Sequence, residues 1–584
     1  MELKTDVLIV GGGPAGLAAA LALSTYGVKV TIVTKHGWLA RTPRAHVINQ
    51  RTFEILRDLG IELEARSKAT DYATTPDVVY CAALAGQEYG RWHAFGTGPD
   101  RSGDYMGASP CRHADLAQNI LEPILLSNSL ARGATIRFNT EYLSHRQDES
   151  GVRATLLDRP SRSIFEVDAQ FLIGADGANS KIAQELQLPM EGPGSIGHSV
   201  NILFEADLAQ YVEYRPAFLY IMITKPKAPG DIGLAVLRPT RHWHQWLLTP
   251  GYTLTEGKAE LTEENAMATV RDCVGIPHLE VRIKAIDPWN MNSLRAVRYS
   301  RNRVFCMGDA VHRHPPSNGL GSNTAIQDAY NLAWKLALVV QGKANPSLLD
   351  SYDEERVPVG KQVVERSTKT LGVYEPLLKL IQSGQVDPGK HTGSKTQVTA
   401  EAQQLLHKAV SETRFDMNTH GVEMNHCYTS CAIVCDGTPE RDITRDEDLY
   451  HARSTRPGSR LPHAWIQRNG RNLSTLDLVG KGRFVLLTGT GGELWVKTSS
   501  LAAQAFGLEV ESYLISSEGD LTDFYGEWEA AREIASAGCL LIRPDGYICL
   551  RNQSAMTEKE CHQIIFDCFA SILGRQVPNE GTGR

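Results

Sequence analysis

The 584-residue chain excludes much by what it lacks. No apolar run approaches the ~20 residues that cross a bilayer. The chain enters a strand pattern at once, Thr5-Asp6-Val7-Leu8-Ile9-Val10, without the charged head and cleavage site of a signal peptide. A cytoplasmic protein with no membrane partner is the expectation. There is no basic tract and the formal net charge is −7, which argues against nucleic acid and for a small-molecule partner. No Cys-x-x-Cys occurs, and the 11 cysteines are odd in number and scattered, so neither a disulfide framework nor a dithiol redox centre is indicated. Cys427, Cys431 and Cys435 recur every fourth residue but lack the paired spacings of a zinc site; they read as small buried residues, with no metal. A fixed-period repeat is also missing, which removes solenoids and propellers.

What is present points to a multidomain α/β protein. At this length two or three cores are expected. Residues 5–35 read as strand, glycine turn, helix and strand: Val7 to Val10, Ala15 to Tyr26, Val28 to Val33. That is a βαβ unit of about 30 residues, the opening of a doubly wound domain. Ala169 to Gly174 forms a second apolar strand and Val304 to Met307 a third. Ala217 to Thr224 and Trp243 to Leu248 alternate in the manner of an inserted, different sheet. Residues 383–399 carry glycine, lysine, serine and threonine without periodicity and read as a linker. Beyond them Phe484 to Leu487, Cys539 to Ile542 and Tyr547 to Leu550 suggest a separate C-terminal α/β unit.

Gly11-Gly12-Gly13-Pro14-Ala15-Gly16 places glycines at the first, third and sixth positions of a dinucleotide fingerprint. The first turns the chain, the second admits a pyrophosphate to the backbone, and the third lets helix and strand pack. The acidic residue that usually closes the second strand is missing, because Thr34-Lys35-His36 stands there. Arg41 to Thr52 gathers several arginines and His46 just beyond. The stretch GDAVHRHPPSNGLGSNTAIQD, residues 308–328, follows the third strand. Asp309 is placed to accept polyol hydroxyls, Pro315-Pro316 stiffens the loop, and Gly319 and Gly321 permit close backbone approach. Thr324 and Gln327 offer a capping box for a helix with apolar face Ile326, Ala329, Tyr330, Ala333, Leu336 and Val340. Its positive end suits an anionic guest such as a reduced isoalloxazine. Only one nucleotide fingerprint is present, since Gly489-Thr490-Gly491-Gly492 lacks the third glycine. A nicotinamide that docks, gives hydride and leaves therefore fits better than a resident one.

The glycine fingerprint, Asp176-Gly177, and Gly308-Asp309 with its Pro-Pro and Gly-x-Asn, followed by Tyr352-x-x-Glu355-Arg356, together resemble the single-component FAD-dependent aromatic hydroxylases over roughly residues 5–370. TPRAHVINQRTFEILRDLGIE, NTEYLSHRQD and HPPSNGLGSNTAIQDAYNLAWKLA carry a resemblance to the phenol hydroxylase branch. RPGSRLPHAW, STLDLVGKGRFVLLTG and CLLIRPDGYICLR resemble its thioredoxin-like extension. The implied architecture is a Rossmann-like FAD-binding domain (1–75, 105–190 and 295–382), an inserted mixed β-sheet substrate domain (76–104 and 191–294), a linker (383–403) and a thioredoxin-like domain (404–584). A homo-oligomer, dimer or tetramer, is implied, with the C-terminal domain serving packing and subunit contact.

By the same resemblance Gly11, Gly13 and Gly16, with Pro14 and Ala15 beside them, hold the pyrophosphate. Arg44 and Gln118 contact the cofactor, Asp176-Gly177 serve its binding, and Asp309 takes the ribitol, with Gly308, Gly319, Gly321 and Asn323 around the flavin. The implied reaction is ortho-hydroxylation of a phenol to a catechol, with a chlorophenol such as 2,4-dichlorophenol as substrate. It uses FAD, NADPH (or NADH) and O2 and passes through a flavin C4a-hydroperoxide. Electrophilic attack favours a phenolate, so a base is expected. His46 is the candidate, its alternative role being to hold Arg44 or a backbone carbonyl. Tyr220, Trp289, Asn292 and Pro315 are candidates to line the pocket. A hydroxylase of a larger polyketide-like aromatic and a non-catalytic flavin-binding protein remain as alternatives; a flavin-dependent halogenase is disfavoured by the absence of Gly-x-Trp-x-Trp-x-Ile-Pro.

Overall fold

A computed structural model describes residues 3–224, 226, 231–252, 262–383, 400–439, 444–517 and 519–578. The opening strand β1 (Leu3–Val10) is buried from Val7 to Val10 and runs through the glycine turn into helix α1 (Pro14–Thr25). Pro14 suits the first helical turn, where its missing amide hydrogen costs nothing. Alanine and leucine predominate after it, and every residue from Ala15 to Ser24 is buried. Strand β2 (Val30–Val33) returns parallel to β1, with Val7 opposite Val30 and Val10 opposite Val33.

Helix α2 (Gln118–Ala131) then leads to β3 (Thr135–Arg137), and later come β4 (Ile164–Gly174), β5 (Val304–Cys306), α3 (Gly321–Val340) and α4 (Ser351–Thr370). The parallel strands lie in the order β5-β4-β1-β2-β3. Helix α1 packs against both α2 and α3. The glycine turn and the turns after β4 and β5 thus fall side by side at the carboxyl edge of one sheet, where ligands of such sheets bind.

The inserted sheet has eight strands, including Met190–Glu205, Ala217–Ile223, Asp231–Arg241, Gln245–Tyr252 and Arg282–Ala296. Its edge strand His312–Arg313 comes from the stretch after Gly308 and pairs with Leu294 and Arg295, so one loop belongs to both sheets. One face of the sheet is closed by helix Glu263–Val274 through Ala266, Val270 and Val274. Part of the other is closed by Leu377, Ile381, Leu406, Ala409 and Val410. Residues 384–399, most of the expected linker, lie outside the described residues. Its last residues belong instead to helix Ala400–Glu412, which packs on the inserted sheet and not on the C-terminal unit as a boundary at 404 implied.

The C-terminal unit has a seven-stranded mixed sheet in a thioredoxin-like arrangement. Phe484–Thr488 runs parallel to Val510–Ser516 and antiparallel to Cys539–Ile542, which pairs with Ile548–Asn552. Helices Glu493–Phe506 and Glu558–Leu573 pack on it.

Helix α3 departs from the amphipathic expectation. Ile326, Ala329, Tyr330, Ala333 and Leu336 are buried as the pattern implies, but so are Asp328, Asn331 and Lys335. The reason is a second neighbour: Trp334 and Leu338 enter the core of the C-terminal unit. The capping box is not formed either. The helix begins at Gly321, three residues earlier, without a side-chain cap, while Thr324 Oγ1 donates to Leu320 O at 2.9 Å and Gln327 Oε1 has no partner. All eleven cysteines are free thiols. Contrary to expectation, Cys427, Cys431 and Cys435 are exposed, because their segment crosses the surface outside any regular element.

Four fully buried charged groups join α3 and α4 to the C-terminal unit. Glu355 accepts from Lys335 Nζ at 2.9 Å and from Arg543 at 2.5 and 3.0 Å, and Arg543 also donates to Asp545 at 2.6 Å. Charges this deep persist only when all are paired. No helix among the described residues is long and apolar enough to cross a membrane. Arg543→Ala is expected to cost about 3–5 kcal/mol of stability by leaving Asp545 and Glu355 under-compensated. Urea denaturation followed through tryptophan emission measures it, since the guanidinium sits 5.2 Å from the ring centre of Trp334.

Candidate active site

The three turns at the carboxyl edge are held together by backbone bonds. Gly11 N donates to Val33 O at 2.8 Å, Ala175 N to Val10 O at 2.8 Å, and Met307 N to Gly174 O at 3.1 Å. Gly11 has φ +124°, and a Cβ there would stand 2.0 Å from Ala175 O; a Cβ on Gly16 would stand 2.1 Å from Gly11 O. These two glycines are required by packing. A Cβ on Gly13 would meet nothing within 4 Å, so open space lies before the amide end of α1, whose first turn carries no acidic residue. An open cradle at an uncompensated helix start fits a pyrophosphate. Gly308, with φ +60°, is wedged between Ala325 and Ala15, so the third turn sits between the starts of α3 and α1.

Asp309 is exposed to solvent yet crowded by protein, the combination found in a deep cleft. Burial raises its pKa; His312, Arg313 and Arg44 act against that. Arg313 Nε donates to Asp309 O at 2.9 Å and fixes the turn. The Arg44 side chain is exposed and has no hydrogen bond or ion pair among the described residues, which leaves it available to a ligand's phosphates. Gln118 at the start of α2 donates to Glu122 at 2.6 Å, and Glu122 accepts from Ala40 N at 2.7 Å. Pro315 is buried beside His314, whose pKa burial pushes down to about 4.

Two residues expected at the cofactor have their side chains committed elsewhere. Asp176 accepts from Ser180 Oγ at 2.6 Å and Lys181 N at 2.8 Å, capping the helix Lys181–Glu185. Asn323 donates to Val47 O at 2.8 Å and Gly319 O at 2.7 Å and accepts from Asn49 N at 3.1 Å. Each shapes the site but offers a ligand only its backbone. Gly319, with φ +64°, lies where a Cβ would be 2.7 Å from Val47, whereas Gly321 has only ordinary contact with His314. Gly177, also at positive φ, faces open space.

A second constellation adjoins this cleft. His46 Nδ1 lies 2.6 Å from Asp115 Oδ2; their side chains are 14 % and 16 % exposed. Short strands bring them together: Val47 pairs with Asp115, Leu116 N donates to His46 O, and Gln118 N donates to Ala45 O. Burial lowers the His46 pKa, Arg238 lowers it further, and Asp115 acts in the opposite direction without prevailing. The imidazole is therefore neutral at neutral pH. With Nδ1–H given to Asp115, Nε2 is left as an acceptor. Arg238 is buried and donates through Nη2 to Pro43 O and, at 2.7 Å, to Arg44 O. Its Nη1 has no partner, and neither has the buried Tyr72 Oη. Asp115 and Arg238 lie close enough to act electrostatically on the Tyr72 hydroxyl, and Asp115 and Tyr72 on the Arg238 guanidinium. A buried guanidinium nitrogen and a buried phenol hydroxyl without partners have the chemistry to donate to an oxygen anion.

Sheet register sorts the aromatic candidates. Arg238 is opposite Leu247, Leu247 opposite Leu203, and Ser199 opposite Trp289, so Arg238, Asn201 and Trp289 share the face that looks at the flavin unit. Trp289 Nε1 donates to Asn201 Oδ1 at 3.2 Å. Tyr220 is opposite Leu237 and points the other way. It is fully buried, donates to Arg215 O at 3.0 Å and packs on Trp246, so it belongs to the core and not to the pocket. Asn292, three residues from Trp289, also falls on the far face and donates to Asn290 O at 3.2 Å. On the near side Ser293 Oγ meets Thr368 Oγ1 of α4 at 2.8 Å.

Asp115, Arg238 and Tyr72 were not found from the sequence. Arg238 left one signal, a charge inside the apolar run Ala-Val-Leu-Arg-Pro; Asp115, 69 residues from His46, left none. Among the described residues no three His, Cys, Asp or Glu side chains are grouped to hold a metal.

Comparison with known proteins identifies the family. A family described as FAD binding domain matches residues 4–367, and one described as Aromatic-ring hydroxylase, C-terminal, matches residues 454–571. The chain belongs to the FAD-dependent aromatic-ring hydroxylases, monooxygenases that use a reduced nicotinamide and O2. It is 47% identical to 2,4-dichlorophenol 6-monooxygenase of Delftia acidovorans, over 94% of this chain and 95% of that one. It is 39% identical to phenol 2-monooxygenase of Pseudomonas sp. (strain EST1001), over 96% and 91%. The crystal structure of the flavin-dependent monooxygenase PieE in complex with FAD and substrate superposes with a TM-score of 0.91 at 39% identity, covering 98% of this chain and all of that one.

Gly13→Ala is expected to fold with an unchanged melting temperature but to be purified with little FAD, because its methyl group enters the open cradle. Gly11→Ala is expected to lose stability outright. Thermal melting and the flavin absorbance of the purified proteins separate the two.

Proposed function

We propose that this protein hydroxylates a chlorophenol, 2,4-dichlorophenol in the first instance, at the free ortho carbon to give a catechol. It would use FAD, NADPH (or NADH) and O2. The observation that carries this reading is the His46–Asp115 pair set beside the orphaned Arg238 Nη1 and Tyr72 Oη. The names of the relatives at 47% and 39% identity support it, while those named putative polyketide hydroxylases match at 31% and 28%.

In this reading the backbone at Gly11, Gly13, Pro14, Ala15 and Gly16 and the Arg44 side chain hold the pyrophosphate. Asp309 takes the ribitol hydroxyls, Gln118 borders the cofactor, and the amides at Gly177, Gly308, Gly319, Gly321 and Asn323 lie around the ring. When bound, FAD supplies the reduction by nicotinamide and the activation of oxygen. The protein's own part is to make the ring electron-rich and to hold it. His46 Nε2 takes the phenol proton, and Asp115 stabilises the imidazolium that results. Arg238 and Tyr72 donate to the phenolate oxygen. A base with a lowered pKa is matched to an acidic phenol, and chlorine withdraws electron density and makes a phenol more acidic. In this reading Trp289 and Pro315 wall the pocket. We further take the parallel sheet, the inserted sheet and the C-terminal unit as the cofactor, substrate and packing domains of a cytoplasmic homo-oligomer. Phe524 and Tyr525, 70% and 65% exposed on the C-terminal unit, support a subunit contact there.

His46→Gln is expected to lower kcat/KM by about a hundred- to ten-thousand-fold while FAD content is retained. In the wild type, activity falls on acidification through a pKa below 6.5, as the base becomes protonated. Arg238→Met removes a charge that depresses this pKa and moves that limb to higher pH; Asp115→Asn removes one that raises it and moves the limb lower. A wild-type limb above 6.5 excludes His46 as the base.

The substrate is tested by product analysis: 2,4-dichlorophenol with NADPH is expected to give 3,5-dichlorocatechol with matching oxygen uptake. If chlorophenols provoke only peroxide release while bulkier aromatics are hydroxylated, the substrate reading fails.

A further inference from the structure

The end of β2 cannot hold a ribose in the usual carboxylate manner. Residues 34–40, Thr-Lys-His-Gly-Trp-Leu-Ala, contain no acid. Thr34 is buried, and its hydroxyl accepts from His36 N at 3.4 Å. The segment nevertheless borders the glycine turn: a Cβ on Gly12 would lie 3.5 Å from Thr34 and 3.8 Å from Leu39. Backbone bonds fix it to the chain after β3, with Thr34 N donating to Arg137 O, Asn139 N to His36 O and Thr140 N to Thr34 O. Burial and the positive charges of Lys35, Arg44 and Arg159 lower the His36 pKa, so this edge of the cleft is cationic.

Within that edge Trp38 is 55% exposed, an unusual position for a large aromatic beside a ligand cleft. One face of its indole rests on Phe138, with ring centres 5.2 Å apart and planes at 27°. The rest of the ring faces outward.

We propose that Trp38 is the adenine platform of this protein: the adenine of FAD stacks on the open face of the indole, backed by Phe138, and this stack replaces the missing ribose carboxylate. The inference rests on the reading that the cleft binds FAD. The cations beside Trp38 favour the neighbouring pyrophosphate and leave adenosine retention to the stack, which is worth a substantial affinity factor for a base on an aromatic ring.

The test uses full-length protein stripped of flavin and titrated with FAD and with FMN, which lacks adenosine, read by quenching of flavin emission. Trp38→Ala is expected to weaken FAD about tenfold and to leave FMN affinity and the melting temperature as in the wild type. Trp38→Phe is expected to recover most of the loss. Wild-type FAD affinity in Trp38→Ala, or an equal loss of FAD and FMN, overturns the platform. Failure of the wild type to take up any flavin overturns the FAD reading on which it stands.

Discussion

A single buried carboxylate fixes the edge on which the site is built. Asp328 accepts from Arg356 Nε at 2.8 Å and from the Gly308 amide at 3.1 Å, and lies 2.7 Å from His312 Nε2. Burial alone would raise its pKa, but Arg356 and His312 outweigh that and hold it low. The stability it contributes is present above the ordinary carboxylate range and lost as pH falls through its depressed pKa. Through Gly308 it sets the turn that presents Asp309. Through His312 it anchors the strand shared with the inserted sheet, and through Arg356 it reaches Tyr428 Oη at 2.9 Å. The turn after β5, the inserted sheet and the later chain are thereby referred to one point.

The C-terminal unit completes this arrangement. Helix α3 starts at the cofactor cleft and is buried on both sides, against α1 on one and the C-terminal core on the other. Lys335, Glu355, Arg543 and Asp545 lock that contact in a way that tolerates no partial docking. The unit thereby buttresses the helix whose start faces the cleft.

Much of the flavin unit was legible because its signals are local. Glycine spacing, the strand before it and the alanine-rich helix after it define a turn that needs positive φ at Gly11 and close packing at Gly16. Where a signal depended on neighbours it misled. The Thr324-Gln327 pattern suggests a capped helix start, yet the helix begins at Gly321 and Thr324 Oγ1 donates back to Leu320 O instead. Tyr220 and Trp289 both look like pocket aromatics in a strand of period two, and only the pairing of distant strands shows that they lie on opposite faces. The exposed cysteines at 427, 431 and 435 lie in a segment without regular structure, which carries no periodicity from which burial could be read.

The sequence by itself determined the nucleotide fold, the FAD-type motifs and the presence of a separate C-terminal unit, since turn chemistry and residue periodicity act over a few positions. Only the tertiary structure decided which side chains meet His46. His46 meets Asp115 across 69 residues, and Arg238 reaches the backbone of Pro43 across 195. Such pairings are set by sheet register and the packing of separate sheets, and no short stretch of chain records them.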